Sequence, residues 1–328
     1  MQVVITGGAG MLGKKLAKKL LERGTLAGPD GKQRTIDKLV LMDVSEAPDL
    51  PKDKRISFVA GQVYDAELMR KLISGDTNSV FHFAAVVSAG AEADFDLGYR
   101  VNLDGTRVVL EACRTLKTPP RVVFTSSVAV YGGDMPPVIT DEQKLTPQTS
   151  YGAQKAMGEL LIADYTRKGF IDGRALRLPT IVVRPGKPNK AASTFASSII
   201  REPLQGQEAI CPVRPDNWMP LLSPRKTVEC FIHAHELASS TWGTNRTLML
   251  PSLDVTVGDM VEAVKRVAGN DAYKKIVWKQ DPLIQKIVDG WPARLDSRRA
   301  RDMGLKADAS IDAIIQAFIE DDLRPQVH

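Results

Sequence analysis

Thr6-Gly7-Gly8-Ala9-Gly10-Met11-Leu12-Gly13 follows the apolar run Val3-Val4-Ile5 and opens a helical pattern, and this junction decides the fold. Its spaced glycines let the backbone turn sharply and approach a phosphate closely, while a helix N-terminus offers unpaired N–H groups and positive dipole charge to an anion. The turn is therefore predicted to cradle a pyrophosphate through Gly7, Gly10, Met11, Leu12 and Gly13. A tight strand-to-helix turn without a ligand is the alternative.

Short apolar runs alternate with helical patterns along the first half of the chain. The predicted strands cover residues 3–6, 39–43, 56–60, 79–84, 121–126 and 174–183. The predicted helices between them cover residues 11–23, 66–74, 98–117 and 151–168. This rhythm indicates an α/β fold, a doubly wound parallel sheet of the Rossmann type with right-handed crossovers.

Asp43 closes the second predicted strand, where a carboxylate can accept hydrogen bonds from an adenosine ribose and would repel a 2'-phosphate. The sequence therefore favours NAD over NADP as the cofactor. Two alternatives stay open: Asp43 is a solvent-facing strand-end residue, or Lys14 holds a 2'-phosphate. Asp43 follows Gly13 by more than the usual ~20 residues because of the polar insertion 24–35, which is predicted to be a surface loop.

The sheet rhythm stops after Val183. Arg184-Pro185-Gly186-Lys187-Pro188-Asn189 begins a more irregular part, in which helices are predicted over 228–240, 257–267 and 311–318 and a strand over 247–250. We expect an NAD-binding Rossmann domain at residues 1–183, to which parts of 226–255 return. Residues 184–328 are expected to form a smaller, mainly substrate-binding domain.

The composition excludes several classes of protein. The 328 residues are 43% hydrophobic, and although the formal net charge is +5, basic residues are scattered among nearly as many carboxylates, so no nucleic-acid partner is predicted. Cys113, Cys211 and Cys230 are odd in number and lack metal-ligand spacing, so we expect reduced thiols, no metal site and a cytoplasmic protein. Neither a signal peptide nor a membrane span is predicted.

Tyr151 and Lys155 are four residues apart and share one face of a predicted helix. A phenol ionises near pKa ~10 and becomes a useful base only beside positive charge, which a lysine one turn away supplies. The pair therefore predicts acid/base chemistry at a carbinol, and a serine motif lies shortly upstream, Ser126-Ser127-Val128-Ala129-Val130-Tyr131-Gly132. The alternatives are that Ser127 caps the strand end, that Lys155 is solvated, and that Tyr151 packs in a helix interface.

Together, the glycine-rich turn, the serine motif and the Tyr-Lys pair resemble the extended short-chain dehydrogenase/reductase family. The resemblance continues through His82-Phe83-Ala84-Ala85, Asn102-Leu103-Asp104-Gly105-Thr106, Arg184-Pro185-Gly186 and Asp296-Ser297-Arg298-Arg299-Ala300. It implies that Ser127 holds the substrate oxygen and that Tyr151 is the general base. It also implies that Lys155 binds the nicotinamide ribose and lowers the pKa of the tyrosine.

The same resemblance implies further cofactor contacts. Ala84 and Ala85 are expected to line the cofactor path, although small residues there could also be plain core. Asn102 is expected near the cofactor, although by residue type it could equally be a helix N-cap. Gln62, which replaces the family's usual acidic residue, is expected with Val63 beside the adenine. The helices at 98–117 and 151–168 correspond to the family's dimer interface, so a homodimer is expected.

Two segments that are typical of nucleotide-sugar epimerases are missing from the chain. Residues 180–186 read Thr-Ile-Val-Val-Arg-Pro-Gly, without the asparagine of the usual Y-F-N segment, and Pro220-Leu221-Leu222-Ser223-Pro224-Arg225 lacks the carboxylates of the usual H-V-D-D segment. A nucleotide-sugar substrate is therefore not favoured. Residues 184–189 and Ser223-Pro224-Arg225 instead resemble a branch of the family that oxidises D-erythronate.

That resemblance implies NAD-dependent oxidation of the C2 hydroxyl of a small sugar acid, D-erythronate, to a 2-oxo acid. Arg225 is the predicted fork for the substrate carboxylate, because a guanidinium can bind a carboxylate bidentately; a structural arginine is the alternative. Ser88 and Asn189 are further candidate substrate contacts. Two other functions stay open: a sugar or nucleotide-sugar epimerase or dehydratase with tightly bound NAD, and a cofactor-sensing or scaffold protein without catalysis.

Overall fold

The computed structural model describes residues 1–46, 49–50, 52–186 and 192–323. Within it the chain divides into two compact units. The first comprises residues 1–130, 147–177 and 228–248, and the second comprises residues 131–146, 178–227 and 249–328. Residues 228–248 thus return to the first unit, and residues 131–146 leave it for the second.

A seven-stranded sheet forms the centre of the first unit. Its strands in chain order are β1 (Gln2–Thr6), β2 (Lys38–Asp43), β3 (Ile56–Ala60), β4 (Thr77–His82), β5 (Arg121–Ser127), β6 (Asp172–Leu178) and β7 (Thr247–Met249). Their order in space is β7-β6-β5-β4-β1-β2-β3, and β1 pairs in parallel with both β2 and β4. The strand order reverses between β1 and β4, so the predicted doubly wound α/β fold is confirmed. Ligands of such sheets bind in the crevice outside the carboxyl ends of these strands.

Helices and short turns connect these strands. They are Met11–Arg23, Ala66–Leu72, Ser88–Ala93, Phe95–Gly98, Gly105–Arg114, Ser150–Arg167, Pro224–Glu236 and Ser239–Trp242, with a short 3-10 turn at Val128–Val130. The helix Met11–Arg23 buries Leu16, Ala17 and Leu20, which recur at helical spacing. Strands β1 and β2 are buried along almost their whole length, as expected for a parallel sheet covered on both faces.

Three differences from the predicted elements concern helices and a loop. The predicted helix 98–117 is interrupted by a π-helical turn at Tyr99–Asp104, because a π turn contains one extra residue that apolar spacing does not reveal. The predicted loop 24–35 contains an antiparallel hairpin of Thr25–Ala27 with Gln33–Thr35, which buries Leu26. The predicted helix 228–240 begins earlier, at Pro224, since the Ser223 hydroxyl accepts a hydrogen bond from the backbone N–H of Lys226 (3.0 Å).

A cluster of charged side chains lies at the amino end of β6, away from the carboxyl ends of the strands. The Asp172 carboxylate accepts hydrogen bonds from Arg174 (2.8 Å) and Arg246 (3.3 Å), and Arg121 lies 3.8 Å from it. Arg174 and Arg121 are buried, and burial lowers the pKa of Arg174 to about 10. Asp172 therefore supplies negative charge to three guanidinium groups at once.

The second unit has its own core and its own small sheets. Thr180–Ile181, Trp218–Leu222 and Leu253–Thr256 form a three-stranded sheet, so the predicted strand 174–183 is two strands that belong to different sheets. Two pairs complete the strands: Ala209–Cys211 with Ile276–Trp278, and Ile139–Thr140 with Leu295–Asp296. The helices are Thr194–Leu204, Val257–Tyr273, Pro282–Asp289, Arg298–Asp302 and Ile311–Phe318, followed by a π turn at Ile319–Leu323.

Three further findings concern the predictions from composition. Cys113, Cys211 and Cys230 are buried thiols, and burial raises the pKa of Cys113 to about 12. Within the described ranges, no helix combines the length and the apolar character that a membrane crossing requires. In the same ranges, no three His, Cys, Asp or Glu side chains are grouped as metal ligands.

Candidate active site

The glycine-rich turn follows β1 and lies directly against the backbone that follows β4. Gly7 has a φ of +71°, and a Cβ atom at this position would lie 2.7 Å from the Ala84 nitrogen, so any side chain would force the two segments apart. Gly10 is the N-cap of the helix Met11–Arg23 and has no side chain that could accept from the first-turn N–H groups. The N–H groups of Met11, Leu12 and Gly13 therefore fit the pyrophosphate of a dinucleotide.

Asp43 ends β2 beside this turn. Its Oδ2 atom accepts a hydrogen bond from the Ala9 N–H (3.0 Å), and its Oδ1 atom accepts one from the Val44 N–H (2.8 Å). The carboxylate is thus fixed where an adenosine ribose would be expected. Lys14, the alternative partner for a 2'-phosphate, forms an ion pair with Asp49 instead. Both observations favour NAD.

The predicted adenine contacts and small residues lie at the carboxyl ends of neighbouring strands. Gln62 is exposed just after β3, and Val63 is buried. Ala84 and Ala85 are half-buried after β4, and the Ala84 N–H donates to the Thr6 hydroxyl (3.3 Å). All of these residues therefore belong to the same edge of the sheet as the glycine-rich turn.

Tyr151 and Lys155 lie on the first turns of the helix Ser150–Arg167, as predicted. The Lys155 ammonium lies 5.6 Å from the centroid of the Tyr151 ring and 4.8 Å from that of Phe124. Lys155 is only 2% exposed, so the alternative of a solvated lysine is wrong. Burial lowers the pKa of Lys155 to about 7, and the Glu159 carboxylate acts in the opposite direction. A buried cation thus faces the phenol ring.

Ser127 is the last residue of β5 and adjoins the start of that helix. Its hydroxyl accepts a hydrogen bond from the Ala129 N–H (3.1 Å), so it also caps the short turn that follows the strand. A Cβ atom on Gly152 would lie 2.1 Å from the Ala129 carbonyl oxygen. Glycine thus lets the helix pack directly on this turn. The segments that carry Ser127 and Tyr151 are thereby brought together.

A chain of buried hydrogen bonds lies behind the site. The Thr106 hydroxyl donates to the Asn102 carbonyl oxygen (2.6 Å), so it accepts from His82 Nε2 (2.9 Å). Nε2 therefore carries a proton. In the neutral imidazole Nδ1 is then the acceptor, so the Thr6 hydroxyl, which also accepts from Ala84, donates to it (2.7 Å). Burial, with the Lys155 charge as the second cause, lowers the pKa of His82 to about 3.

Asn102 belongs to the π turn and is not an N-cap. Its side chain accepts from the Val86 N–H (2.8 Å) and donates to the Val86 carbonyl (2.9 Å), and it also donates to Gln154 (2.7 Å), the residue before Lys155. Asn102 thus fixes the segment after β4 against the helix that carries the Tyr-Lys pair. Its predicted contact with the cofactor stays a prediction.

The predicted substrate contacts have different outcomes. Ser88 is exposed at the start of the helix Ser88–Ala93, and Asn189 lies outside the described residues. Arg225 donates from Nε (3.2 Å) and Nη2 (2.6 Å) to the Asp321 carboxylate and from Nη2 to Glu320 (2.9 Å). The edge of the guanidinium that forms bidentate pairs is therefore occupied by the chain's own carboxylate. This arrangement favours the structural alternative for Arg225.

Sequence reasoning missed several residues around the site. Thr6, Thr106 and Gln154 hold His82 and Asn102, but their partners are distant in sequence and no local pattern predicts them. Glu159 had a usable signal, because it lies one helical turn beyond Lys155 on the same face. Its carboxylate forms an ion pair with Arg177 on β6.

Oxidation of a carbinol by a nicotinamide requires a protein base beside a bound dinucleotide. The first unit places a glycine-rich turn at a helix N-terminus and a phenol beside a buried amine at the same edge of one sheet. This arrangement is that of a nicotinamide-dependent oxidoreductase. The chain belongs to the NAD dependent epimerase/dehydratase family, whose model matches residues 3–243. The predicted resemblance to extended short-chain dehydrogenases is thereby confirmed. The protein is an NAD-dependent oxidoreductase.

Two related proteins and one solved structure match this chain over nearly its full length. A D-erythronate dehydrogenase from Cupriavidus necator is 54% identical over 321 residues, which are 98% of both chains. One from Haemophilus influenzae is 44% identical over 323 residues, 98% of this chain and all (100%) of the relative. A crystal structure of a nucleoside-diphosphate-sugar epimerase from Agrobacterium tumefaciens is 43% identical, with a TM-score of 0.93 and coverage of 98% and 94% of the two chains.

Proposed function

We propose that the protein catalyses NAD-dependent oxidation of the C2 hydroxyl of D-erythronate to 2-dehydro-D-erythronate. The observation that carries this proposal is the buried Lys155 ammonium beside the Tyr151 phenol, at the edge of the sheet where the dinucleotide turn lies. The choice of D-erythronate is supported by the two D-erythronate dehydrogenases that are 54% and 44% identical over nearly the full chain.

Three side chains carry the reaction in this proposal. The Ser127 hydroxyl holds the C2 oxygen of the substrate, and the Tyr151 phenolate removes the proton from that oxygen. Lys155 stabilises the phenolate because its positive charge lies in surroundings of low dielectric constant. Bound NAD supplies the acceptor for the hydride that leaves C2. The substrate thus loses one hydride and one proton, and Tyr151 then releases the proton to solvent.

The residues that would hold NAD surround the carboxyl ends of the first strands. We assign the pyrophosphate to the N-terminus of the helix Met11–Arg23 and the adenosine ribose to Asp43. The full set is Gly7, Gly10, Met11, Leu12, Gly13, Asp43, Gln62, Val63, Ala84, Ala85, Asn102, Tyr151 and Lys155. Ser88 and Asn189, with Ser127 and Tyr151, stay the candidates for substrate contacts.

The test is the formation of NADH from D-erythronate and NAD, measured by its absorbance. Tyr151→Phe should lower kcat by about 10²- to 10⁴-fold, because a general base contributes rate factors of this size. Tyr165→Phe is the matched control: Tyr165 lies on the same helix, its hydroxyl donates to Glu111, and its loss should leave kcat unchanged. Full activity in Tyr151→Phe would remove Tyr151 as the base, and absence of turnover with aldonates of four and six carbons would remove the dehydrogenase proposal.

An epimerase is the second candidate, favoured by the 43% identity to the structure of a nucleoside-diphosphate-sugar epimerase. Such an enzyme would return the hydride to its substrate, so it would release no net NADH. The missing Y-F-N and H-V-D-D segments weigh against it. Incubation with D-erythronate and with UDP-sugars in parallel separates the two functions, since only the dehydrogenase accumulates NADH.

We infer that the enzyme is a homodimer. Leu160 is 69% exposed on the helix Ser150–Arg167, and Phe95 is 57% exposed beside the π turn, which is costly for large apolar side chains in a monomer. Leu160 belongs to 151–168, one of the two helices expected at the dimer interface, and Phe95 lies just before the other, 98–117. Leu160→Asp should shift the sedimentation coefficient to that of a monomer. Leu283→Asp, at a residue that is 68% exposed in the second unit, should not.

Two broader assignments accompany the proposal. Substrate recognition is assigned mainly to residues 184–328. A cytoplasmic location is proposed from the small, odd number of cysteines and their wide separation in the sequence. A chimera in which residues 184–328 come from a family member of different specificity should acquire that member's substrate while NAD affinity stays the same.

A further inference from the structure

Glu159 extends the helix face that carries Tyr151 and Lys155. The three residues are spaced by four, so their side chains lie one above another along the helix Ser150–Arg167. Glu159 is 4% exposed, although a carboxylate is rarely buried unless it is paired. Its position therefore requires partners, and it has them on two neighbouring strands.

Arg177 on β6 forms a bidentate pair with this carboxylate. Its Nε donates to Glu159 Oε1 (2.9 Å), and its Nη2 donates to Oε2 (2.7 Å). The Ser126 hydroxyl on β5 also donates to Oε1. A single carboxylate thus joins the helix to both strands, and charge-assisted bonds of this geometry are strong and directional.

Ser126 connects this pair to Ser127. Successive side chains of a strand point to opposite faces, so the bond that directs Ser126 toward Glu159 also fixes the direction in which Ser127 projects. The same helix carries Lys155, one turn before Glu159. Both the serine and the lysine of the site therefore depend on the position of Glu159.

The charges around Lys155 give Glu159 a second effect. The groups that face the ammonium are Tyr151, Glu159, the imidazole of His82 and the ring of Phe124. Burial favours the neutral amine, the phenyl ring of Phe124 offers only a weak attraction, and burial also keeps His82 neutral. Glu159 is the negative charge that favours the ammonium form.

We propose that Glu159, held by Arg177, is a positioning residue of the reaction that aligns Ser127 with Lys155 and keeps Lys155 positively charged. This inference rests on the proposed function for its kinetic consequences. Its effect on Lys155 itself is independent of the substrate. Arg177 holds the Glu159 carboxylate in place. Glu159 in turn holds Ser126 and its own helix in place, and these carry the neighbouring Ser127 and Lys155.

The experiment compares Glu159→Gln with the double variant Glu159→Gln/Arg177→Met. Glutamine retains an acceptor for Ser126 but removes the negative charge. The double variant also removes the guanidinium, so it is measurable if an unpaired Arg177 prevents the single variant from folding. Asp164→Asn, on the exposed face of the same helix where Asp164 pairs with Arg167, is the matched control.

The first readout is NAD affinity as a function of pH, measured by protein fluorescence without substrate. Lys155 is assigned to the nicotinamide ribose, so affinity should fall as the ammonium loses its proton. Removal of a negative charge one turn away should move this fall to lower pH by about one unit in Glu159→Gln. The double variant also loses the positive charge of Arg177, so its shift should have the same direction and be smaller. The control should keep the wild-type profile.

The second readout is the pH profile of kcat/KM for D-erythronate. Its alkaline limb should move to lower pH together with the affinity profile. In addition, kcat should fall by a larger factor than KM rises, because Ser127 is misaligned in the transition state. Unchanged profiles in folded variants, with only a lower unfolding midpoint, would reduce the pair to a structural ion pair. If wild-type enzyme forms no NADH from D-erythronate but the affinity profile shifts, the proposed function fails and the role of Glu159 stands.

Discussion

The buried His82 makes the stability of the protein depend on pH in a predictable direction. Its imidazole is 1% exposed and bonded to two threonine hydroxyls, and burial lowers its pKa to about 3. In the unfolded chain the pKa of a histidine is near ~6.5. Between these two values the unfolded chain binds a proton that the folded chain does not bind, so the free energy of unfolding falls as the pH falls.

The size of the effect follows from the two pKa values. Their difference of about 3.5 pH units corresponds to roughly 5 kcal/mol, all of it lost only below pH ~3. Between pH ~6.5 and ~5 the expected loss from His82 is about 2 kcal/mol. His235 is also fully buried, and burial lowers its pKa well below the usual value, so it adds a loss of the same sign.

The perturbation is His82→Gln, which keeps one donor and one acceptor for Thr6 and Thr106 but cannot bind the proton. The variant should be less stable at neutral pH, yet its unfolding free energy should fall less steeply on acidification. Urea unfolding of the enzyme without NAD is followed by circular dichroism at several pH values between ~5 and ~7. It gives the slope of the unfolding free energy against pH for the wild type and for the variant. His82→Gln/His235→Gln should flatten the slope further.

His233→Gln is the control because His233 lies on the exposed face of the same helix as His235. This variant should have the same slope of unfolding free energy against pH as the wild type. Equal slopes for wild type and His82→Gln would show that His82 accepts a proton in the folded protein. The hydrogen-bond direction assigned to Thr6 would then be wrong, because a protonated Nδ1 donates.

Three further substitutions test other parts of the structure. Asp172→Asn should cost about 3–5 kcal/mol of unfolding free energy, since it leaves buried guanidinium groups without their counter-charge. Asp164→Asn, at an exposed ion pair, should cost at most about 1 kcal/mol. Equal losses would show that Asp172 is not the counter-charge of the buried arginines. Gly152→Ala should lower kcat by about 10²-fold, because the added Cβ would lie 2.1 Å from the Ala129 oxygen and displace the Tyr151 segment from Ser127. A wild-type kcat would show that this contact does not set the position of Tyr151 relative to Ser127. Arg225→Gln should lower the unfolding midpoint without changing KM for D-erythronate, and a raised KM at unchanged stability would restore Arg225 as the carboxylate fork.

Local spacing explains which parts of the site could be predicted from the sequence. Tyr151 and Lys155 share a helix face wherever that helix lies, and the glycines of the first turn carry their backbone requirement with them. The π turn could not be predicted, since one inserted residue changes the helical register without changing the apolar pattern. The ion pairs of Arg225 could not be predicted, because Glu320 and Asp321 are 95 and 96 residues away and no local pattern indicates them. The guanidinium chemistry alone fits a substrate carboxylate and a carboxylate of the chain equally well.

The buried Lys155 has a neutral histidine, His82, and a negatively charged glutamate, Glu159, as neighbours, and its burial explains why both charge states matter. A buried ammonium tends to lose its proton, and it then no longer stabilises a phenolate. A protonated His82 would add a second buried cation, which burial and the hydrogen bond that Nδ1 accepts from Thr6 oppose. A negative Glu159 acts in the same sense, because it favours the charged form of Lys155. The neutral histidine and the charged glutamate therefore have one common effect: they hold positive charge on the lysine, beside the phenol that must lose a proton.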